Sequence, residues 1–158
     1  MKMHIQLRCV GRLQEPWHKE AVHMYATRCK PFGGFEVLEV KEGQGAAADP
    51  DVQKAMRIEA QHLLNRLPDQ TYTMALDQGG KTLTSEELAR TMADQGRTGR
   101  SITFIVGGSW GLDKSVLDRA DLTLSLGRIT LPHSLARVVL AEQIYRAHMI
   151  IEGRKYHK

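Results

Sequence analysis

The chain has 158 residues, and its 42% hydrophobic and 25% charged residues are typical of one globular domain with a buried core. It contains no apolar run near the ~20 residues of a membrane span, and its first residues alternate polar and apolar side chains, unlike a signal peptide. Cys9 and Cys29 stand apart without a CxxC motif or a Cys/His cluster, so we expect no disulfide, no zinc site and a cytoplasmic location.

The net charge of +4 lies entirely in the last 31 residues. Residues 128–158 hold six basic and two acidic side chains, whereas the first 127 residues hold 16 of each and sum to zero. A basic end that also carries aromatic and imidazole groups predicts a surface that faces a polyanion.

The first half of the chain predicts strands that alternate with helices. The predicted elements are a strand over 5–9, a helix over 16–29, a strand over 35–40, a glycine- and alanine-rich loop over 41–50 and a helix over 51–67. Pro16 suits the first position of its helix, and the spacing of Trp17 and Met24 places both side chains on the apolar face.

The second half continues the alternation. Its predicted elements are a strand over 71–76, a glycine-rich turn over 77–81, a helix over 84–95, a strand over 101–106, a helix over 114–119, a strand over 121–126 and a helix over 134–151. Thr84 and Glu87 form a capping-box pattern at the start of a helix. This order predicts an α/β fold, a single domain over 1–158 with a mostly parallel sheet flanked by helices.

Glycines follow three predicted strands, at Gly79, at Gly107 and Gly108, and at Gly127. Ligands of open α/β sheets bind beyond the carboxyl ends of strands, where glycine lets them approach the backbone. A tight turn would account for one such cluster, but three together favour a ligand pocket. Because the dinucleotide fingerprint and the P-loop are both missing, the walls would better suit a ligand made of adenosine and methionine.

The predicted last helix is apolar on most of its circumference, so it needs a cover on two sides. One cover is the sheet, and the other is either a deeply buried core or a second subunit; charged residues on the helix favour the subunit. Glu142 and Arg146 form a favourable i,i+4 pair, whereas Arg137 has no acid nearby in the sequence. Arg137 is therefore either a phosphate or base contact or an exposed arginine.

Three residues near the basic end are candidate acid–base groups: His133, Tyr156 and His157. The histidines lack the HxxxH and HExxH spacings of metal ligands, so we expect no metal. A GxSxG nucleophile motif is also missing, and both cysteines lie in apolar patterns typical of buried thiols.

A family resemblance is carried by four segments: Gly107-Gly108-Ser109-Trp110-Gly111, Leu-Ser-Leu-Gly-Arg-Ile-Thr-Leu-Pro-His at 124–133, Arg-Val-Val-Leu-Ala-Glu-Gln-Ile-Tyr-Arg at 137–146, and Tyr156-His157-Lys158. They resemble the bacterial methyltransferases that act on N3 of a pseudouridine in large-subunit (23S) ribosomal RNA. These enzymes are the minimalist, single-domain branch of the SPOUT (α/β-knot) methyltransferases. The resemblance covers essentially the whole chain and is most specific in its C-terminal block.

The resemblance implies a C-terminal deep trefoil knot, which the general rarity of knots would not have predicted. It also implies a homodimer through the C-terminal helix region and S-adenosylmethionine bound in the knot. Carried over residue by residue, the cofactor pocket consists of Leu76, Gly107, Gly108, Leu126, Gly127, Arg128, Ile129, Thr130 and Leu131.

The implied reaction is methyl transfer to N3 of a pseudouridine, a weakly acidic imide that must lose its proton at or before transfer. The methyl group is already electrophilic, so the protein chiefly aligns the nitrogen, and a base or a cation can assist. The candidates for that assistance are His133, Arg137, Tyr156 and His157, with Glu142 as an orienting partner.

The resemblance also implies a prefolded RNA surface, the assembled ribosome, as the substrate, because the chain has no appended RNA-binding domain. Two other functions stay open from the residues alone. One is a non-enzymatic RNA- or ribosome-binding module. The other is a nucleotide- or dinucleotide-dependent enzyme, against which the missing fingerprint acid argues.

Overall fold

Strands and helices alternate along the computed structural model, which describes residues 1–44 and 48–156. Within those residues lie β1 (Ile5–Val10), α1 (Pro16–Cys29), β2 (Phe35–Val40), α2 (Val52–Leu64), β3 (Tyr72–Thr82), α3 (Ser85–Arg97), β4 (Ile102–Val106), α4 (Lys114–Arg119), β5 (Leu122–Ser125) and α5 (His133–Ile151). A 3-10 turn over Lys30–Phe32 joins α1 to β2. The predicted loop over 41–50 includes residues 45–47, which lie outside the described residues.

The five strands form one sheet in the order β2-β1-β4-β3-β5, and every neighbouring pair is parallel. β4 is central and all five of its residues are buried, as expected for a strand covered on both faces. The α/β prediction with a parallel sheet flanked by helices is therefore confirmed.

Helices cover both faces of the sheet. Leu140 and Ile144 of α5 share one core with Leu88 and Met92 of α3, and with Val22 of α1. The opposite face has its own core, in which the members from strands and helices are Val10, Ala75, Ile105, Ala60, Leu63 and Val116. Successive β4 side chains pack alternately into the two cores, because strand side chains alternate between the faces of a sheet.

Two details of the sequence prediction are wrong. The predicted apolar face of α1 is not buried, since Trp17 and Met24 are 55% and 37% exposed. The buried stripe is instead His18, Val22 and Cys29, which α5 and the sheet cover. The segment 77–81 is not a turn between elements but part of β3, where the pairing with β5 shifts register between Leu76 and Lys81.

Arg8 is a buried cation on β1 that closes the end of α2. Its guanidinium donates hydrogen bonds to the carbonyl oxygens of Leu63, Asn65 and Arg66, at 2.9, 2.6 and 2.9 Å. The last carbonyls of a helix have no partner within the helix, so this side chain supplies one. Arg8 thereby joins β1 to the helix that covers this face of the sheet.

In the described part of the chain, none of the helices is both long and apolar enough to cross a bilayer.

Candidate active site

A cavity of about 370 Å³ opens beyond the carboxyl ends of β4 and β5, beside the irregular part of β3. Its walls are mostly glycine backbone and apolar side chains, with few charged groups. The lining residues are Leu76, Asp77, Gln78, Val106, Gly107, Gly108, Ser109, Trp110, Gly111, Leu124, Leu126, Gly127, Ile129, Thr130, Leu131, His133 and Ala136. Of the predicted cofactor residues, only Arg128 does not line this cavity.

The loop over 107–111 forms one wall and could not accept larger residues at its first two positions. It is closed by a hydrogen bond from the Gly111 N–H to the Gly108 carbonyl, at 3.2 Å. A Cβ on Gly107 would lie 2.9 Å from the Gly111 carbonyl, and one on Gly108 would lie 2.9 Å from Cγ1 of Val10. The wall is therefore bare backbone that a ligand can approach closely.

The loop after β5 forms the facing wall. Gly127 has a φ of +119°, a conformation that favours glycine, and its N–H donates to Oγ of Ser125 at 3.2 Å. Gln78 of β3 donates through Nε2 to Oγ1 of Thr130 at 2.9 Å. Gln78 thus holds this loop over the cavity, a role that the sequence did not indicate because the contact spans 52 residues.

His133 is the first residue of α5 and lines the cavity, as its candidacy requires. It is half-buried, so its imidazole is accessible to a substrate that enters from solvent. Among the catalytic candidates that the structure describes, His133 alone borders the cavity.

Arg137 corrects an expectation, because its guanidinium is neither exposed nor unpaired. The side chain is 1% exposed, pairs with the Glu39 carboxylate and donates to the Gly11 carbonyl oxygen at 3.0 Å. Since Glu39 is 98 positions away, no local spacing could reveal the pair. Arg137 joins α5 to the ends of β1 and β2 and is not presented as a free phosphate contact.

Glu142 and Tyr156 lie together in a separate cluster on α5. The Arg146 guanidinium donates to both carboxylate oxygens of Glu142, and the Tyr156 hydroxyl donates to Oε2 at 3.0 Å. Burial, followed by this bond, raises the pKa of Tyr156 to about 12, which makes the phenol a poor base at neutral pH. The cluster is about 14 Å along the helix from His133, at 1.5 Å per residue. His157 lies outside the described residues.

Sequence reasoning missed Glu59, a carboxylate on the inner face of α2. Its side chain is 3% exposed and lies beside the glycine loop, with Oε1 3.8 Å from the position of a Cβ on Gly108. The available signal was its spacing, because Glu59 stands four residues from both Ala55 and Leu63 on the buried stripe.

Comparison with known proteins identifies the class to which this site belongs. The sequence model of a family described as predicted SPOUT methyltransferase matches residues 3–157. The chain belongs to the SPOUT methyltransferase family.

Individual relatives extend this finding. The chain is 40% identical to ribosomal RNA large subunit methyltransferase H from Carboxydothermus hydrogenoformans, over 99% of this chain and 100% of the relative. It is 41% identical to the protein of the same name from Streptococcus pneumoniae strain CGSP14, with the same coverage.

Solved structures are similar in fold at low sequence identity. A probable methylase family protein from Haemophilus influenzae Rd KW20 has a TM-score of 0.56 and 12% identity, covering 99% of this chain and 70% of that one. The Legionella pneumophila putative methyltransferase Lpg2936, solved with bound SAM, has a TM-score of 0.53 and 12% identity, covering 92% and 66%.

Proposed function

We infer that this chain transfers the methyl group of S-adenosylmethionine to large-subunit ribosomal RNA, and we propose N3 of a pseudouridine as the acceptor. The observation that carries this inference is the glycine-walled cavity between the loops 107–111 and 126–131. Family membership and relatives that match over their whole length support the same activity. A non-enzymatic RNA-binding module would have no use for such a cavity.

The residues of the cavity fit S-adenosylmethionine. Its volume of about 370 Å³ lies in the range of small-molecule sites, and its apolar walls suit an adenine ring. Leu76, Leu126 and Leu131 supply apolar contacts, while the backbone of Gly107 and Gly127 can bond to polar groups of the ligand. When bound, the cofactor supplies an electrophilic methyl carbon.

His133 is the residue that we propose to assist the acceptor nitrogen. It lines the cavity at the start of α5, where an imidazole can take the N3 proton or stabilise the negative charge that develops. Glu142 is proposed to position Tyr156, and Arg137 is proposed to fix α5 against the sheet. Neither Glu142 nor Arg137 is proposed as the proton acceptor. In this proposal His133 acts on the substrate at the cavity, whereas Arg137 and Glu142 hold other parts of the protein in place.

We propose that the chain after β5 passes through the trefoil knot of its family and that two chains form a homodimer through the α5 region. β5 lies at one edge of the sheet, whereas the Gly11 carbonyl that Arg137 bonds to follows β1, on the far side of β3 and β4. The chain after β5 therefore returns across the sheet. Leu135, Val138 and Val139 are apolar but only half-buried in one chain. A second subunit would cover them.

The proposed substrate is the assembled ribosome or its large subunit in the cytoplasm. Among the basic residues of the described C-terminal end, Arg128, Arg154 and Lys155 are exposed, whereas Arg137 and Arg146 are held in ion pairs. The exposed cations can contact RNA phosphates.

The function is tested by incubating purified large subunits with labelled S-adenosylmethionine and mapping the modified nucleotide by mass. We expect one methyl group on a pseudouridine. Calorimetric titration with the cofactor alone should release or absorb heat; no heat together with retained ribosome binding would instead identify a binding module.

A double variant, Tyr156→Ala with His157→Ala, tests the C-terminal tail. We expect methylation to fall at least tenfold while cofactor affinity is retained, because the family resemblance makes both residues candidates for assisting the acceptor nitrogen and Tyr156 does not line the cofactor cavity. Full activity on ribosomes would remove the tail from the site. An Arg97→Ala variant, changed at an exposed position on α3, serves as the control.

A further inference from the structure

A second, smaller pocket adjoins the cavity at Ser109 and Trp110 of the glycine loop. It has a volume of about 120 Å³ and is lined by Glu42, Gln44, Pro50, Ala55, Glu59, Ser109 and Trp110. Ser109 and Trp110 line both the pocket and the cavity. A group held in the small pocket is thus next to anything bound in the cavity.

Glu59 lines the small pocket, and its carboxylate has one oxygen bound and one oxygen without a partner among the described residues. Oε2 accepts the Gly43 N–H at 3.0 Å, which fixes the chain after β2 against α2. Oε1 is buried and has no hydrogen-bond partner among the residues that the structure describes. A buried carboxylate oxygen without a partner is costly, so its persistence points to a ligand that donates a hydrogen bond.

The electrostatics of the pocket select the kind of ligand. Glu42 and Glu59 repel phosphate, so the pocket does not suit the RNA backbone. Burial first, and then the nearby Glu42, raise the pKa of Glu59, while the Gly43 N–H, His133 and His62 lower it. The indole of Trp110 is 49% exposed, which leaves a flat face on which a base can stack.

We propose that the small pocket receives the target base and that Oε1 of Glu59 accepts the N1–H of pseudouridine; this inference rests on the proposed function. Pseudouridine is joined to its ribose through C5, so N1 and N3 both carry hydrogen. Uridine is joined through N1 and has no donor there. Glu59 is therefore the residue that selects pseudouridine over uridine.

The geometry of the base agrees with this assignment. N1 and N3 flank the same carbonyl group, so a base that presents N1 to Glu59 presents N3 along an adjacent edge. That edge can enter the cavity beside Ser109 and Trp110, where the two sites meet. One base can thus be recognised at N1 and methylated at N3.

A carboxylate is required because two N–H groups need an acceptor at the same side chain. The Gly43 N–H occupies one oxygen of Glu59, and the base requires the other. Because the two N–H groups approach different oxygens of the side chain, glutamine can present its one acceptor oxygen to the backbone or to the base but not to both. Sites built to bond a substrate N–H discriminate strongly against an analogue that lacks it.

The experiment compares Glu59→Gln with the wild type on two kinds of large subunit, with pseudouridine or uridine at the target position. The wild type should methylate the pseudouridine subunits with a kcat/KM about 10- to 100-fold above that for uridine, and Glu59→Gln should lower the pseudouridine value toward the uridine value. Glu20→Gln removes a carboxylate charge from an exposed position on α1, away from the pocket, and should keep the preference.

Several outcomes would overturn the inference. It is wrong if Glu59→Gln lowers both rates equally, or if calorimetry shows that this variant loses cofactor affinity instead of discrimination. Should the variant fail to fold, wild-type protein is tested on subunits reconstituted with N1-methylpseudouridine, where a rate equal to that on pseudouridine would contradict the assignment. Absence of transfer by the wild type to any subunit would instead refute the proposed function itself.

Discussion

At the scale of single residues, Arg8 is a buried charge whose role is structural. Replacing it with methionine keeps the length of the side chain but leaves the carbonyls at the end of α2 without their donor. We expect Arg8→Met to lower the free energy of unfolding by about 2–4 kcal/mol, measured by urea denaturation. Arg97→Met removes an exposed guanidinium from α3 and should change it by less than about 0.5 kcal/mol; equal effects would contradict the capping role.

His148 makes stability depend on pH. It is 1% exposed and stacks on Phe32 at a centroid distance of 5.0 Å, and burial lowers its pKa from 6.5 to about 4. Glu152 opposes this shift, whereas the N-terminal amine adds to it. Between those two values the unfolded chain binds a proton that the folded chain does not, so stability falls as the pH falls from 6.5 to 4.

Between pH 6.5 and 4, we therefore expect the free energy of unfolding of His148→Gln to fall by about 3 kcal/mol less than that of the wild type, whatever the effect of the substitution on stability at neutral pH. Urea denaturation at a series of pH values between 4 and 7 measures the slope. His4→Gln, at an exposed position, should keep the wild-type slope. An unchanged slope in His148→Gln would assign the acid sensitivity to other groups.

At the scale of elements, Gly80 allows β3 and β5 to pair next to the cavity. A Cβ on Gly80 would lie 2.7 Å from the carbonyl of Thr123 in β5, so alanine must push the strands apart. We expect Gly80→Ala to cost about 1–3 kcal/mol and to weaken cofactor binding, since Leu76 and Leu124 of these strands line the cavity.

The neighbouring glycine provides a matched control. A Cβ on Gly79 would meet only the Asp77 carboxylate, at 3.2 Å, and this side chain can move. Gly79→Ala should therefore change thermal stability and calorimetric cofactor affinity little. If both alanine variants behaved alike, the close approach of the strands would not be what requires glycine.

The elements also show which parts of the fold and the site can be predicted from sequence. Period-two strands and glycines at strand ends are local patterns, and they located the sheet and the three strand ends around the cavity. The loop over 128–131 was assigned from the family resemblance. The position of α1 depends on α5, which packs on it from more than a hundred residues away, so the exposure of Trp17 could not be predicted. The partners of Arg137 and Gln78 lie 98 and 52 residues away, which is also too far for a local pattern to reveal.

At the scale of the whole molecule, the exposed cations of the C-terminal end predict binding that weakens as salt rises. If Arg128, Arg154 and Lys155 each contact a phosphate, the logarithm of the affinity for the large subunit should fall with the logarithm of salt concentration with a slope of about −2 to −3. Ribosome co-sedimentation at several salt concentrations measures it. Arg154→Ala with Lys155→Ala should reduce the slope by about 1.5–2.

The control for this surface is Arg97→Ala, which removes a cation from α3 and should keep the slope. Binding that does not depend on salt would place the RNA-facing surface elsewhere on the molecule.

The strand order has a consequence for how the chain folds during synthesis. β1 lies between β2 and β4, so its second edge stays unpaired until β4 has been synthesised and Ile102 pairs with Ile5. The ion pair between Glu39 and Arg137 closes a loop of 98 residues. Contacts this distant slow folding and leave unpaired strand edges exposed in the nascent chain. We therefore expect the sheet to close only after β4 and the later strands have emerged from the ribosome that translates them.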